Sequence, residues 1–166
     1  QIQGSGAIEL THSKKLNNLK NIQLTYNPIE RSAKNAWKRF QLMEWFKDLD
    51  RKNRLNEVGE GLIGDLGVDV LLRSPFASKL EILDLKNNDL SDKAVVALSK
   101  SEKLKRLISL NLSKNNITDY GAKALARSSH LGKLKKLDLN FNRIGDEGAF
   151  AIAESKSLSN LESLKL

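Results

Sequence analysis

Between residues 80 and 90 the apolar positions fall as Leu80-x-x-Leu83-x-Leu85-x-x-Asn88-x-Leu90. The same spacing returns as Leu107-x-x-Leu110-x-Leu112-x-x-Asn115-x-Ile117 and as Leu134-x-x-Leu137-x-Leu139-x-x-Asn142-x-Ile144. A fourth copy, Leu161-x-x-Leu164-x-Leu166, stops in mid-pattern, and each copy begins 27 residues after the last. Self-similarity at one fixed step is the mark of a repeat architecture. Within each copy the alternation of Leu83 with Leu85 has the period of two expected of a short strand with one buried face. It predicts strands near residues 82–85, 109–112, 136–139 and 163–166. An earlier copy, Leu19-x-x-Ile22-x-Leu24-x-x-Asn27-x-Ile29, predicts another near 21–24. Leu19 precedes Leu80 by 61 residues, seven more than two steps of 27, so the unit between them is enlarged.

The segments between strands repeat as well: "LSDKAVVAL" from Leu90, "ITDYGAKAL" from Ile117, "IGDEGAFAI" from Ile144 and "IGDLGVDVL" from Ile63. Each reads as a helix. Ser91 or Asp92, Thr118 or Asp119, and Asp146 are the candidate caps. The small residues Ala94, Gly121 and Gly148 let the helix approach the strand layer, with Leu98, Leu125 and Ile152 one turn later on the same face. Strands stack about 4.8 Å apart while helices need about 10 Å, so such a solenoid curves with its sheet on the inside. Asn27, Asn88, Asn115 and Asn142 stand where strand gives way to helix, placed to satisfy backbone groups there as a structural ladder.

The pattern resembles the leucine-rich repeat family, specifically its ribonuclease-inhibitor-like type with a helix in each unit, over essentially the whole chain. The second unit departs from it, with Gly61 in the ladder-asparagine slot and Asn56 in a leucine slot. The resemblance implies an α/β fold: a right-handed solenoid with a parallel sheet on its concave face and helices on its convex face. The expected organisation is one domain over 1–166, of about six units with both ends truncated. It also implies a protein-binding module, such as a regulator or scaffold, that grips its partner on the curved sheet.

A run of glycines, Gly59, Gly61 and Gly64 in "EVGEGLIGDLG", imitates a dinucleotide-binding loop, with Asp84 at the distance of a ribose-binding acid. The repeat explains Gly61, Gly64, Gly67 and Asp84. Gly64 shares a column with Gly145, Gly67 with Gly121 and Gly148, and Asp84 with Asn111 and Asp138, so no phosphate is required.

Two places depart from repetition. The first is the irregular segment 30–54, where Ala33, Trp37, Phe40, Met43 and Phe46 recur at helical spacing and predict one extended helix over 32–49. It holds four of the nine aromatics, with eight basic residues against four acidic. It is either a seal over a thickened core or a basic, aromatic docking surface. The second is the outward face of the strands, with Gln23, Thr25, Ile82, Asp84, Lys86, Ser109, Asn111, Ser113, Lys136, Asp138, Asn140 and Lys165. One column on come Tyr26, Asn87, Lys114 and Phe141. The candidate partner-binding residues are Tyr26, Asp84, Lys86, Asn111, Lys114, Lys136, Asp138, Asn140 and Phe141, with Phe141 as the anchor.

Composition narrows the chemistry. The chain has 166 residues, of which 40% are hydrophobic and 29% charged, which suits a folded domain. Without cysteine there is no thiolate metal site and no thiol nucleophile, which fits a reducing, cytoplasmic setting. His12 and His130 are read as solvated surface residues. No nucleophile–base pair or metal cluster is evident, so neither catalysis nor a cofactor is expected. The net charge of +8 points to a protein partner with an acidic or mixed surface. The alternative is an anionic polymer, nucleic acid or membrane, met by the Lys100, Lys103, Lys105, Arg106 and Arg127, Lys133, Lys135 clusters. Residue 2 falls on the helix half of a unit and Leu166 in mid-strand. The expectation is therefore a segment of a longer repeat protein, or a C-terminal edge covered by neighbouring repeats or another chain.

Overall fold

The computed structural model describes residues 38–39, 41–48 and 63–166. The chain divides into two compact units, Gln1–Trp45 and Phe46–Leu166. Residues 38–39 and 41–48 are helical, and Phe46 is fully buried. The rest of the helix expected over 32–49, the strand expected near 21–24, and Gln23, Thr25, Tyr26, Asn27, Gly59 and Gly61 lie outside the described residues.

In the second unit strands and helices alternate: α1 (Gly64–Arg73), β1 (Ile82–Asp84), α2 (Asp92–Lys100), β2 (Ser109–Asn111), α3 (Asp119–Ala126), β3 (Lys136–Asp138), α4 (Asp146–Ala153) and β4 (Ser163–Lys165). The four strands form one parallel sheet in the order of the chain, with Leu83, Leu110, Leu137 and Leu164 as successive partners. Parallel neighbours require a crossover, and α2, α3 and α4 supply it. The fold is an α/β solenoid. Leu83, Leu110 and Leu137 are at most 1% exposed. Leu85, Leu98, Leu112 and Leu125 are fully buried beside them, each worth about 1.5–3 kcal/mol in burial. At β4, the outermost described strand, Leu164 is 40% exposed and Leu166 51%.

Helices α2, α3 and α4 start against the repeat before them. Ser91 and Thr118 are the N-caps of α2 and α3, and each hydroxyl accepts from the amide two residues on (Lys93 and Tyr120) at 3.2 Å. Asp146, expected as a cap, is instead the first residue of α4, behind Gly145. Aspartates in this column have a different use. Asp92 Oδ1 accepts from the Thr118 and Gly121 amides at 2.8 and 3.0 Å, and its Oδ2 from the Thr118 hydroxyl at 2.7 Å. Asp119 likewise accepts from the Gly145 and Gly148 amides at 2.7 and 3.0 Å. Asp65 takes the Ser91 amide and hydroxyl at 2.8 and 2.6 Å. Each carboxylate thus satisfies amide groups that a helix N-terminus leaves without intrahelical partners, in the next repeat rather than its own.

This changes the reason for the glycines. A Cβ on Gly121 would sit 2.5 Å from Asp92 Oδ1 and 2.7 Å from Ile117 Cγ2. On Gly148 it would sit 2.5 Å from Asp119 Oδ1. At Gly121 and Gly148 the preceding repeat's carboxylate and the γ-methyl of Ile117 or Ile144 occupy the space, and at Gly67 the side chain of Ile63 does. Ala94, in the same column, is not among the donors to Asp65 in the described bonds. Gly64 has φ +61, where a side chain is strained, and its amide donates to Asn88 O at 3.0 Å, a bond within the repeat framework.

A second ladder runs along the strand ends. Asn115 Oδ1 accepts from the Asn88 and Leu90 amides, both at 3.0 Å. Its Nδ2 donates to Leu85 O, Leu112 O and Ser113 O at 3.0, 2.9 and 3.2 Å. Asn88 Oδ1 takes the Ile63 amide at 3.1 Å, and Asn142 Oδ1 takes that of Ile117 at 3.1 Å.

Two outcomes follow for stability. Asn115→Ala strips an acceptor from two amides in the interior, each costing about 1–3 kcal/mol unpaired, so urea denaturation should show a loss of about 2–4 kcal/mol. A loss below about 1 kcal/mol would contradict the ladder's energetic role. Gly→Ala inside an ordinary helix gains about 1 kcal/mol. Gly121→Ala should instead lose at least that much. Gly132→Ala, whose Cβ would meet nothing nearer than Ser157 O at 3.8 Å, should be neutral or slightly stabilising.

Candidate protein-binding face

The outward side chains of the strands form two columns on the sheet face. In one, Ile82, Ser109, Lys136 and Ser163 lie side by side; in the other, Asp84, Asn111, Asp138 and Lys165. The second column has local duties. Asp84 Oδ1 accepts from the Lys86 amide at 2.9 Å, Asn111 Oδ1 from the Ser113 amide at 3.0 Å, and Asp138 Oδ1 from the Asn140 amide at 3.0 Å. These bonds turn the chain out of the strand, as short polar side chains do two residues on. Each of the three is half-buried. Lys165 Nζ lies 3.5 Å from Asp138 Oδ2. Between the columns is a shallow depression of about 180 Å³, bordered by Lys136, Asp138, Ser163 and Lys165.

Past the strand ends, Asn87, Lys114 and Phe141 have φ of 55, 56 and 57°. Asparagine tolerates this left-handed conformation; a lysine and above all a phenylalanine do so at a cost of about 1–2 kcal/mol. Hydrogen bonds hold two of these residues there: the Asn87 amide to Ser113 O at 3.0 Å, and the Lys114 amide to Asn140 O at 2.8 Å. The ring of Phe141 is 76% exposed, and Lys114 Nζ stands 5.8 Å from its centroid, a cation–π distance.

The sequence-predicted residues divide accordingly. Asp84, Asn111 and Asp138 share one column, Lys136 is exposed beside it, and Lys114, Asn140 and Phe141 meet at the strand ends. Lys86 is half-buried, and Tyr26 lies outside the described residues. Ser113, expected on the outward face, is 5% exposed, with its hydroxyl on Asn111 Oδ1 at 2.8 Å. Sequence reasoning passed over Tyr120 and Phe150, each 68% exposed on the helix side, and Ile108 at 37%. Tyr120 and Phe150 are large apolar residues at helix positions out of phase with Leu125 and Ile152, and Ile108 stands in the connection before β2.

Most of the basic connections are engaged. Lys103 Nζ donates to Arg73 O and Ser74 O at 3.2 and 2.9 Å, Arg106 pairs with Glu81, and Lys105 lies 3.4 Å from Glu102. Lys135 lies 2.7 Å from Glu162 and holds that exposed carboxyl below its usual range. His130, expected on the solvated surface, is half-buried, with a buried Nδ1 that has no hydrogen-bond partner among the described residues.

Family models of leucine-rich repeats match residues 77–99 and, as two copies, 105–151. These are leucine-rich repeats. Among solved structures the repeats are similar to leiomodin-1 actin-binding site 2, with a TM-score of 0.53 and 20% identity over 76% of this chain and 77% of that one. At that identity the likeness is one of fold. No curated protein sequence matches the chain. Among the described residues no cluster of His, Asp or Glu could hold a metal ion, and no helix is long and apolar enough to cross a membrane.

Phe141→Gly should show what the ring does for stability. Relief of the left-handed strain offsets the greater freedom of the unfolded chain, so thermal unfolding should place the variant level with the parent or up to about 1 kcal/mol above it. A loss beyond about 2 kcal/mol would mean that the ring is packed into the fold.

Proposed function

We propose that this leucine-rich-repeat chain is a binding module whose sheet face, the concave one, takes a protein partner with an acidic or mixed surface. Phe141, 76% exposed in a conformation that disfavours it, carries the reading. Strained residues persist where the surroundings impose them and cluster at binding sites. An aromatic beside Lys114 and Lys136, next to the half-buried carboxylates of Asp84 and Asp138, suits a hot spot in a mixed-charge interface. The 27-residue step with one helix per unit supports assignment to the ribonuclease-inhibitor-like type. The role is that of a regulator or scaffold rather than a catalyst. Actin is one candidate for the assay because the similar structure carries its name; the sheet-face residues give no further reason to prefer it.

The test is affinity for a purified partner together with thermal unfolding. Phe141→Ala should weaken binding at least tenfold with the melting temperature nearly unchanged. A large fall in melting temperature with unaltered binding would overturn the reading. Affinity should decline gently with salt, whereas a phosphate-polymer contact would fall steeply and log-linearly.

A further inference from the structure

The helix side carries a cleft remote in purpose from the sheet face. It lies between α2, α3 and the connection that follows α3, with a volume of about 350 Å³. That is the small end of the ~300–1,000 Å³ usual for ligand sites, fitting a compact ligand. Lys100, Lys123 and Arg127 line it with His130, Ser129 and Tyr120, and none of its lining residues is an aspartate or glutamate. Lys123 is held on the rim by Glu147 at 2.5 Å, while Lys100 and Arg127 have no ion-pair partner among the described residues. The C-terminal ends of α2 and α3 add partial negative charge of about half a unit each, which the two unpaired cations, Lys100 and Arg127, exceed.

The wall is built rather than incidental. The Ser128 hydroxyl donates to Ser99 O at 2.6 Å and accepts from the His130 amide at 3.2 Å, tying the connection after α3 to the end of α2. His130 Nε2 stands 3.3 Å from Ser129 Oγ, which leaves Nδ1 as a buried ring nitrogen without a partner among the described residues. Such an orphan calls for an explanation, a bound water or ion being one.

We propose that this cleft binds a phosphate group, free or as a monoester, with Arg127 as the bidentate donor, Lys100 and Lys123 as charges, and His130 as a further hydrogen-bond partner. The fork of an arginine matches paired phosphate oxygens, which a point charge does not.

The test is a titration of the 166-residue chain, followed by amide NMR at constant ionic strength, with inorganic phosphate in one arm and O-phosphoserine in the other. The expected result is a saturable shift confined to the amides of Lys100, Lys123 and Arg127 to His130. Arg127→Gln should weaken binding at least tenfold, Arg127→Lys less, and Lys133→Gln, outside the cleft, not at all. The melting temperature of ligand-free Arg127→Gln should match the parent, since a purely structural role would lower it. Saturation by phosphoserine alone assigns the site to esterified phosphate; saturation by both assigns it to the group itself. No saturable shift with either probe, shifts spread over all the basic connections, or unweakened binding by Arg127→Gln would overturn the proposal.

Discussion

The structure depends on side chains of one repeat that hydrogen-bond the backbone of its neighbours. A strand of three residues, such as Ser109–Asn111, makes too few ladder bonds to fix its own place, and the chain leaves each strand by a turn that abandons further amides. Asn88, Asn115 and Asn142 collect those amides, while Asp65, Asp92 and Asp119 collect the amides at the helix starts that follow. Because each residue reaches a neighbour 25 to 30 positions away, the bonds are at once local satisfaction and inter-repeat glue. Leucine burial supplies the driving force, and the two polar ladders supply the register.

That division of labour determines what the surface has free to offer. Asp84, Asn111 and Asp138 face outward, yet each spends an oxygen on its own turn. Lys114 and Phe141 have no comparable duty and occupy a backbone conformation better suited to asparagine, which Asn87 supplies in the same column. On the helix side Arg127 and Lys100 are similarly uncommitted, whereas Lys103, Arg106 and Lys135 serve as inter-repeat struts. Charge alone did not separate these groups; the bonds did.

The register of the four described strands was legible, because a leucine every 27 residues has no other economical explanation and Leu83, Leu110 and Leu137 align in it. The aspartate column was visible but open to misreading. An acid at a helix start is the same letter whether it caps its own helix or serves the next, and only coordinates distinguish Asp92 on Thr118 and Gly121 from a local cap. Ser113 looked outward by alternation, but the period of two ends with the strand at Asn111, after which the chain turns it inward. His130 sits in a connection, where no periodicity informs burial. Phe141 could be named as an anchor from its column, but nothing in an aromatic residue announces a positive φ.

Native-state hydrogen exchange tests the dependence on the two ladders most directly. The amides of Asn88, Leu90, Thr118, Gly121 and Gly148 lie outside any strand pairing, so without the ladders they would exchange like surface loops. The account predicts protection comparable to that of the paired strand amides of Leu110 and Leu137, with Asn115→Ala selectively releasing Asn88 and Leu90. Rapid exchange at these amides in the parent protein would contradict it.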